Sequence, residues 1–256
     1  MNIPPIAYIT GATSGFGKAI ALNLAKNGYD IVVTGRRKER LDALYEHITK
    51  NTRAKVWVSH YDIRDNDAVE QAINALPDSW KQIDVLINNA GLAAGLTPIQ
   101  EGSLTDWNQM IDTNLKGLLY VTRKIAPLMV ARNNGYIINI GSIAGKEVYP
   151  NGNVYCATKQ AVDALTKAMR IDLLPHGIKV TQIAPGAAET EFSLVRFKGN
   201  QAVADNIYKG YQPLTAEDIA DIVEYLLKLP KHVCINDMVV TCLAQASAVN
   251  LCRQMD

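Results

Sequence analysis

Tyr155 and Lys159 stand four residues apart, and Ser142 precedes the tyrosine by thirteen. On a helix, residues four apart share a face, so an ammonium at 159 lies near the phenol at 155 and favours its ionised form. A free phenol, with a pKa of about 10, is a poor acid or base at neutral pH. A neighbouring cation brings it into the working range. The chemistry open to this set is proton exchange with an alcohol or carbonyl oxygen. Taken alone the pair is ordinary, because lysine stems often lie along half-buried aromatics. Ser142, just after Gly141, also has the form of a capping residue.

A second set of residues suits phosphate. The apolar run Ile6-Ala7-Tyr8-Ile9 has strand length, Thr10-Gly11-Ala12-Thr13-Ser14-Gly15-Phe16-Gly17 follows it, and an amphipathic pattern over 18–27 ends at Asn27-Gly28. Strand, glycine loop and helix in that order form an anion site. The glycines let backbone approach a pyrophosphate, and the free N–H groups and positive end of the helix dipole attract it.

The elements that must position both sets can be read from periodicity. Further strands are predicted over 31–34, 55–59, 84–88, 136–140, 179–184 and 238–241. Helices are predicted over 37–50, 66–75, 104–133 in two parts, 153–174 and 216–227. Regular β-α alternation predicts a parallel sheet covered on both faces, with ligands at the carboxyl ends of its strands. Gly11, Gly35, Asp62, Asn88, Ser142 and Pro185 all fall at such ends. The spacing over 11–17 is Gly-x-x-x-Gly-x-Gly rather than the commoner Gly-x-Gly-x-x-Gly.

That spacing, followed in order by Asn88-Asn89-Ala90-Gly91, Asn114, Ser142, Tyr155 and Lys159, resembles the short-chain dehydrogenase/reductase family over residues 7–241. The resemblance implies one Rossmann-like α/β domain over 1–256, a doubly wound parallel sheet of about seven strands with helices on both faces. It implies Tyr155 as proton donor in reduction and base in oxidation, with Ser142 hydrogen-bonding the substrate oxygen. Lys159 would bind the nicotinamide ribose as well as act on the phenol, and Asn114 would hold a water beside the lysine. Cofactor contacts are implied at Gly11, Thr13, Ser14, Gly15, Phe16 and Gly17. Others are implied at Asp62 for adenine, at Asn89, Ala90 and Gly91, at Pro185 and Gly186, and at Thr190 for the carboxamide. Alternative readings stay open: Asp62 as a helix cap, although Asp65 and Asn66 fit that role better, and the 88–91 turn as a structural device. A mid-helix asparagine such as Asn114 costs helix propensity, which favours a functional reason for it.

NAD enzymes of this kind usually carry an acid after the second strand to receive the adenosine ribose. Here the chain reads Val33-Thr34-Gly35-Arg36-Arg37. Two guanidiniums suit a 2′-phosphate, so the expected cofactor is NADP. The alternative is that Arg36 and Arg37 merely open a solvated, charged helix.

The segment Thr190-Glu191-Phe192-Ser193-Leu194-Val195-Arg196-Phe197-Lys198-Gly199 narrows the resemblance to the NADP-dependent 3-hydroxy acid (serine and L-allo-threonine) dehydrogenases. It lies where that family forms its substrate lid, about residues 187–212. Arg196 is the candidate to hold a substrate carboxylate beside Ser142 and Tyr155. It could instead pair with Glu189 or Glu191. Other readings are a reductase of 3-oxoacyl thioesters or another small ketone, and a non-catalytic NADP-binding sensor. Retention of Asn114, Ser142, Tyr155 and Lys159 weighs against a sensor, which needs no proton donor.

Composition sets outer bounds. With 256 residues, 48% hydrophobic and a net charge of +1, the chain has material for a large core and no bias toward nucleic acid or anionic membranes. No apolar run of about 18 residues occurs, and Met1-Asn2-Ile3-Pro4-Pro5 lacks the form of a secretory leader, so a cytoplasmic protein is expected. Cys156, Cys234, Cys242 and Cys252 lack metal-site spacing, so no metal is expected. Cys156 should pack away from the Tyr155/Lys159 face, since one helical step turns by roughly 100°. No Gly-x-Ser-x-Gly elbow supports a hydrolase. The family resemblance implies a homotetramer built through helices over 104–133 and 153–174, with a small molecule as substrate.

Overall fold

The computed structural model describes residues 3–254. Its centre is a seven-stranded, all-parallel sheet in the order β3-β2-β1-β4-β5-β6-β7. The strands are β1 (Ile6–Ile9), β2 (Asp30–Gly35), β3 (Val56–His60), β4 (Ile83–Asn88), β5 (Tyr136–Ile140), β6 (Lys179–Pro185) and β7 (Asp237–Val240). The chain starts in the middle, winds to β3, then returns past β1 to wind the other way. The order therefore reverses between β1 and β4, and the crevice at that reversal is where an open α/β sheet binds ligands.

β1 and β5 are buried along their whole length because helices cover both faces. The edge strand β7 alternates exposed and half-buried residues. On one face α1 (Gly15–Lys26), α2 (Lys38–Asn51) and α9 (Ala216–Lys228) pack Ile20, Leu24, Leu41, Ile219 and Val223 onto Ile9, Val33 and Ile87. On the other, α3 (Asn66–Asn74), α5 (Leu118–Val130) and α6 (Asn153–Leu173) bring Val69, Val121, Ile125 and Val162 against Tyr8, Leu86 and Ile137. Both layers exclude water from the strand interiors and fix the carboxyl-end loops that carry polar residues.

Local devices set the boundaries. Asp65 caps α3, accepting from the N–H groups of Asp67 and Ala68 at 3.0 and 3.1 Å, which places the cap where the sequence favoured it. Thr215 and Asp218 form a reciprocal capping box at α9. The predicted helical stretch 104–133 divides into α4 (Leu104–Ile111) and α5, joined by a π-helical turn, Asp112–Gly117. The segment after β6 folds as two short helices, α7 (Glu191–Arg196) and α8 (Gln201–Asn206). Among the described residues no helix is long and apolar enough to cross a membrane, and no cluster of His, Cys, Asp or Glu is arranged to hold a metal ion.

Candidate active site

The β1–α1 loop is built for close approach. Gly11 has φ +68°, and a Cβ there would lie 2.9 Å from Ala90 Cα. At Gly17 a Cβ would meet Asn89 Nδ2 at 2.4 Å and the Gly11 oxygen at 2.5 Å, so only glycine fits. Asn89 donates through Nδ2 to the carbonyls of Thr10 and Gly11 at 2.9 and 3.2 Å. Thr10 Oγ1 accepts from the N–H groups of Asn89 and Ala90 at 3.0 and 2.9 Å. These bonds give the 88–91 turn the pinning role left open by the sequence. Ser14 precedes α1 without a side-chain cap bond, and no acid occupies the first turn, so the helix end is free to attract an anion.

Beside the loop, Arg37 donates through Nε and NH2 to Thr13 Oγ1 at 3.1 and 2.8 Å, and through NH2 to Ser14 Oγ at 2.7 Å. Its NH1 contacts Glu191 Oε2 at 2.8 Å. Arg40, in the first turn of α2, also binds Glu191. Burial raises the Glu191 pKa, but Arg37 and Arg40 outweigh it and hold the acid at about 2. Arg36 is more open, 3.9 Å from Asp62, which is forked to Arg64 at 2.6–3.0 Å. Helix α2 starts after Arg37, so the two arginines sit at the strand end and do not simply run along a solvated helix.

At the far end of the same cavity, of about 590 Å³, lie Ser142, Tyr155 and Lys159. Ser142 follows β5, and its Oγ accepts from the Ala144 N–H at 3.1 Å, so the expected capping serine and the cavity serine are one residue. Lys159 is buried and donates from Nζ to the Ile140 carbonyl at 2.9 Å. Burial pulls its pKa down to about 8. Burial pushes the Tyr155 phenol up to about 12, against a lowering influence from the Arg196 charge and from Ser142. The charge that lowers the phenol in this arrangement is that of Arg196, whereas the spacing suggested Lys159. The lysine's ammonium is turned to the strand end and shares its charge with a carbonyl.

Asn114 sits inside the π-helical turn, where the widened backbone removes the ordinary propensity objection to it. Its Oδ1 accepts from Leu92 N–H at 2.8 Å, while Nδ2 donates to the Leu92 carbonyl at 2.8 Å and to Thr158 Oγ1 at 3.1 Å. One side chain thus joins the loop after β4 to helix α6, which carries Tyr155 and Lys159. Gly91 passes between them: a Cβ there would be 3.3 Å from Asn114 Oδ1 and 3.4 Å from Lys159 Nζ.

Thr190 caps α7, accepting from Phe192 N–H at 3.2 Å, and lies against Gly15. Phe16, Asp62, Pro185 and Gly186 line the cavity with it. Arg196 does not pair with Glu189 or Glu191. Its NH2 donates to the Tyr149 hydroxyl at 2.5 Å, and its guanidinium carbon lies 5.0 Å over the Tyr155 ring and 5.3 Å over Phe192. The Arg196 Nε is buried without a partner. Tyr149, Phe192 and the Glu191 link to Arg37 escaped the sequence reading, because no local spacing marks partners 37–154 residues apart. Cys156 packs among Leu92, Met110 and Ala144, consistent with a packing thiol.

A glycine-loop crevice at the sheet reversal, joined to a buried serine-tyrosine-lysine group, defines a nucleotide-linked oxidoreductase. The family model for short chain dehydrogenases matches residues 5–200, and the chain belongs to that family. It is 46% identical over 244 residues to the NADP-dependent 3-hydroxy acid dehydrogenase YdfG of Salmonella typhi, covering 95% of this chain and 97% of that protein. It is 45% identical over 242 residues to sulfoacetaldehyde reductase 2 of Chromohalobacter salexigens, covering 94% and 95%. Among solved structures, the closed form of serine dehydrogenase complexed with NADP+ superposes with a TM-score of 0.92 at 43% identity, covering 97% of this chain and all of that one.

Proposed function

We propose that this enzyme uses NADP to interconvert the C3 hydroxyl and carbonyl of a short 3-hydroxy acid or 3-hydroxy amino acid, with Tyr155 as acid or base. The observation carrying the substrate assignment is Arg196: a guanidinium stacked over the Tyr155 ring, with a buried Nε that has no partner. A desolvated donor without an acceptor costs free energy, and a bound carboxylate would satisfy it. The relatives support an acid. One is described as a 3-hydroxy acid dehydrogenase, another as a serine dehydrogenase with NADP+, and a third as a reductase of sulfoacetaldehyde, itself an anion.

The cavity suits the cofactor. Gly11, Ser14 and Gly15 line it at the open end of α1, where a pyrophosphate would meet free N–H groups, and Arg36 and Arg37 stand where a 2′-phosphate would need cations. NADP contributes the hydride chemistry when bound. The protein supplies the rest. Tyr155, held neutral by burial, is set to donate a proton to a carbonyl oxygen, and Ser142 offers a second hydrogen bond to that oxygen. Lys159 adds positive charge at the β5 end, where a ribose hydroxyl can accept from it. In oxidation the phenol must first lose its proton, which a substrate carboxylate on Arg196 makes harder by neutralising the nearest cation. Oxidation should therefore be favoured at alkaline pH.

Steady-state oxidation of serine, L-allo-threonine and 3-hydroxypropionate with NADP and with NAD tests the reading. Turnover with NADP is expected for at least one of these acids. Arg196→Lys should raise KM for it by about tenfold or more, since an ammonium keeps the charge but loses the planar fork. An unchanged KM would remove Arg196 from substrate binding. The same reading includes a cytoplasmic homotetramer, whose mass light scattering would report.

A further inference from the structure

Glu191 belongs to neither of the groups just described, yet it occupies the position most in conflict with a 2′-phosphate. It is the first residue of α7, on the segment that also carries Arg196, and it reaches across the cavity mouth to Arg37 and Arg40 of the β2–α2 region. Four of Arg37's five N–H donors are engaged in this arrangement: Nε and NH2 hold Thr13 and Ser14, and one N–H of NH1 holds Glu191. The carboxylate is only partly exposed, and its two arginines keep it ionised throughout the neutral range. A phosphate with a charge of roughly −1.5 to −2 cannot share these guanidiniums with a carboxylate at contact distance without repulsion.

We infer that Glu191 is an internal stand-in for the 2′-phosphate, a specificity-setting residue that NADP must displace and NAD need not. It therefore restrains the preference for NADP and ties the nucleotide end of the cavity to the lid. The link is mechanical as well as electrostatic. Glu191 directly follows Thr190, which caps α7 and rests on Gly15 of the phosphate loop, and the helix ends five residues on at Arg196. Releasing Glu191 frees the amino end of the helix whose other end stands over Tyr155. The inference rests on the assignment of Arg37 to a 2′-phosphate.

The test compares equilibrium binding of NADP, NAD, 2′,5′-ADP and 5′-AMP to the wild type, Glu191→Gln and Arg37→Ala. Glutamine keeps the size and hydrogen-bonding capacity but removes the charge. Two partly exposed ion pairs are involved, so Glu191→Gln should tighten NADP and 2′,5′-ADP by about three- to tenfold and leave NAD and 5′-AMP within about twofold. Glu191→Asp, shorter but charged, should stay near the wild type in its NADP-to-NAD ratio, so that the ratio follows the charge at this position; a purely structural role would leave the ratio unmoved in Glu191→Gln as well. Weaker NADP binding in Glu191→Gln, or equal change for both nucleotides, overturns the inference and makes Glu191 a clamp that closes over any cofactor. Arg37→Ala separates the two levels. If it leaves NADP binding unchanged, the 2′-phosphate assignment itself fails. If it weakens NADP selectively while Glu191→Gln does nothing, only the stand-in role fails.

Discussion

Burial moves Tyr155 and Lys159 in opposite directions, and both shifts have consequences that can be measured. The phenol is pushed up to about 12, so at neutral pH it carries its proton and can donate it. Tyr155→Phe should lower turnover by about 100-fold or more while leaving NADP affinity nearly intact, measured under conditions where chemistry limits the rate. A variant that keeps most of its turnover would remove the phenol from the proton path. Lys159 is lowered to about 8 from an ordinary value of 10.5. Its protonated form is thus penalised in the fold: the penalty is fully present below about pH 8 and is relieved as pH rises from there toward 10.5. Without added cofactor, Lys159→Met should be more stable than the wild type at pH 7 by up to about 3 kcal/mol. The gap should narrow between pH 8 and 10 in denaturant titrations, and a gap independent of pH would contradict the burial account. Residue types and spacing made this pair legible in the sequence. The direction of the phenol's shift was not, because it depends on desolvation and on Arg196, which lies 41 residues further along the chain.

At the scale of elements, strand ends do the positioning. Gly35 ends β2 and Arg36 follows it, Ser142 follows β5 and Pro185 ends β6, and all of them meet in one cavity at the reversal of strand order. The alternating pattern of apolar runs and amphipathic stretches made this arrangement readable, since a parallel sheet leaves its strands few other ways to be buried. What periodicity could not supply was the π-helical turn around Asn114 or the two short helices between β6 and α9. A helical hydrophobic stripe looks alike whether or not one turn is widened, and short helices held by tertiary contacts carry little pattern of their own. The β2–α2 junction offers the sharpest test at this scale. Arg36→Ala combined with Arg37→Ala should weaken NADP by about 1.5–3 kcal/mol per charged hydrogen bond lost and NAD far less. Equal losses in a binding titration would mean that the two arginines do not read the 2′ position.

Over the whole molecule, one cavity connects Arg36 and Arg37 at one end to Ser142, Tyr155 and Lys159 at the other, and a short helical segment spans both. Glu191 touches the first end and Arg196 the second. On the proposed reading such a segment would let one part of the chain read both the cofactor and the substrate, although neither long-range partner could be seen from local spacing. Family membership follows from the match over residues 5–200 and from identities of 45–46% to relatives covered almost end to end. On the proposed reading, substrate choice would depend on fewer atoms, chiefly those of Arg196, Ser142 and Tyr155. The central claim is that an acid group on the substrate is held by Arg196 while its C3 oxygen meets Tyr155. The most direct measurement is kcat/KM with NADP for matched acid and amide pairs, such as serine and serinamide, in the wild type and in Arg196→Ala. The expected result is a preference for the acid of about 100-fold, equal to one or two charged hydrogen bonds, that collapses in Arg196→Ala. Similar turnover of acid and amide by the wild type, or an undiminished preference in Arg196→Ala, would contradict it.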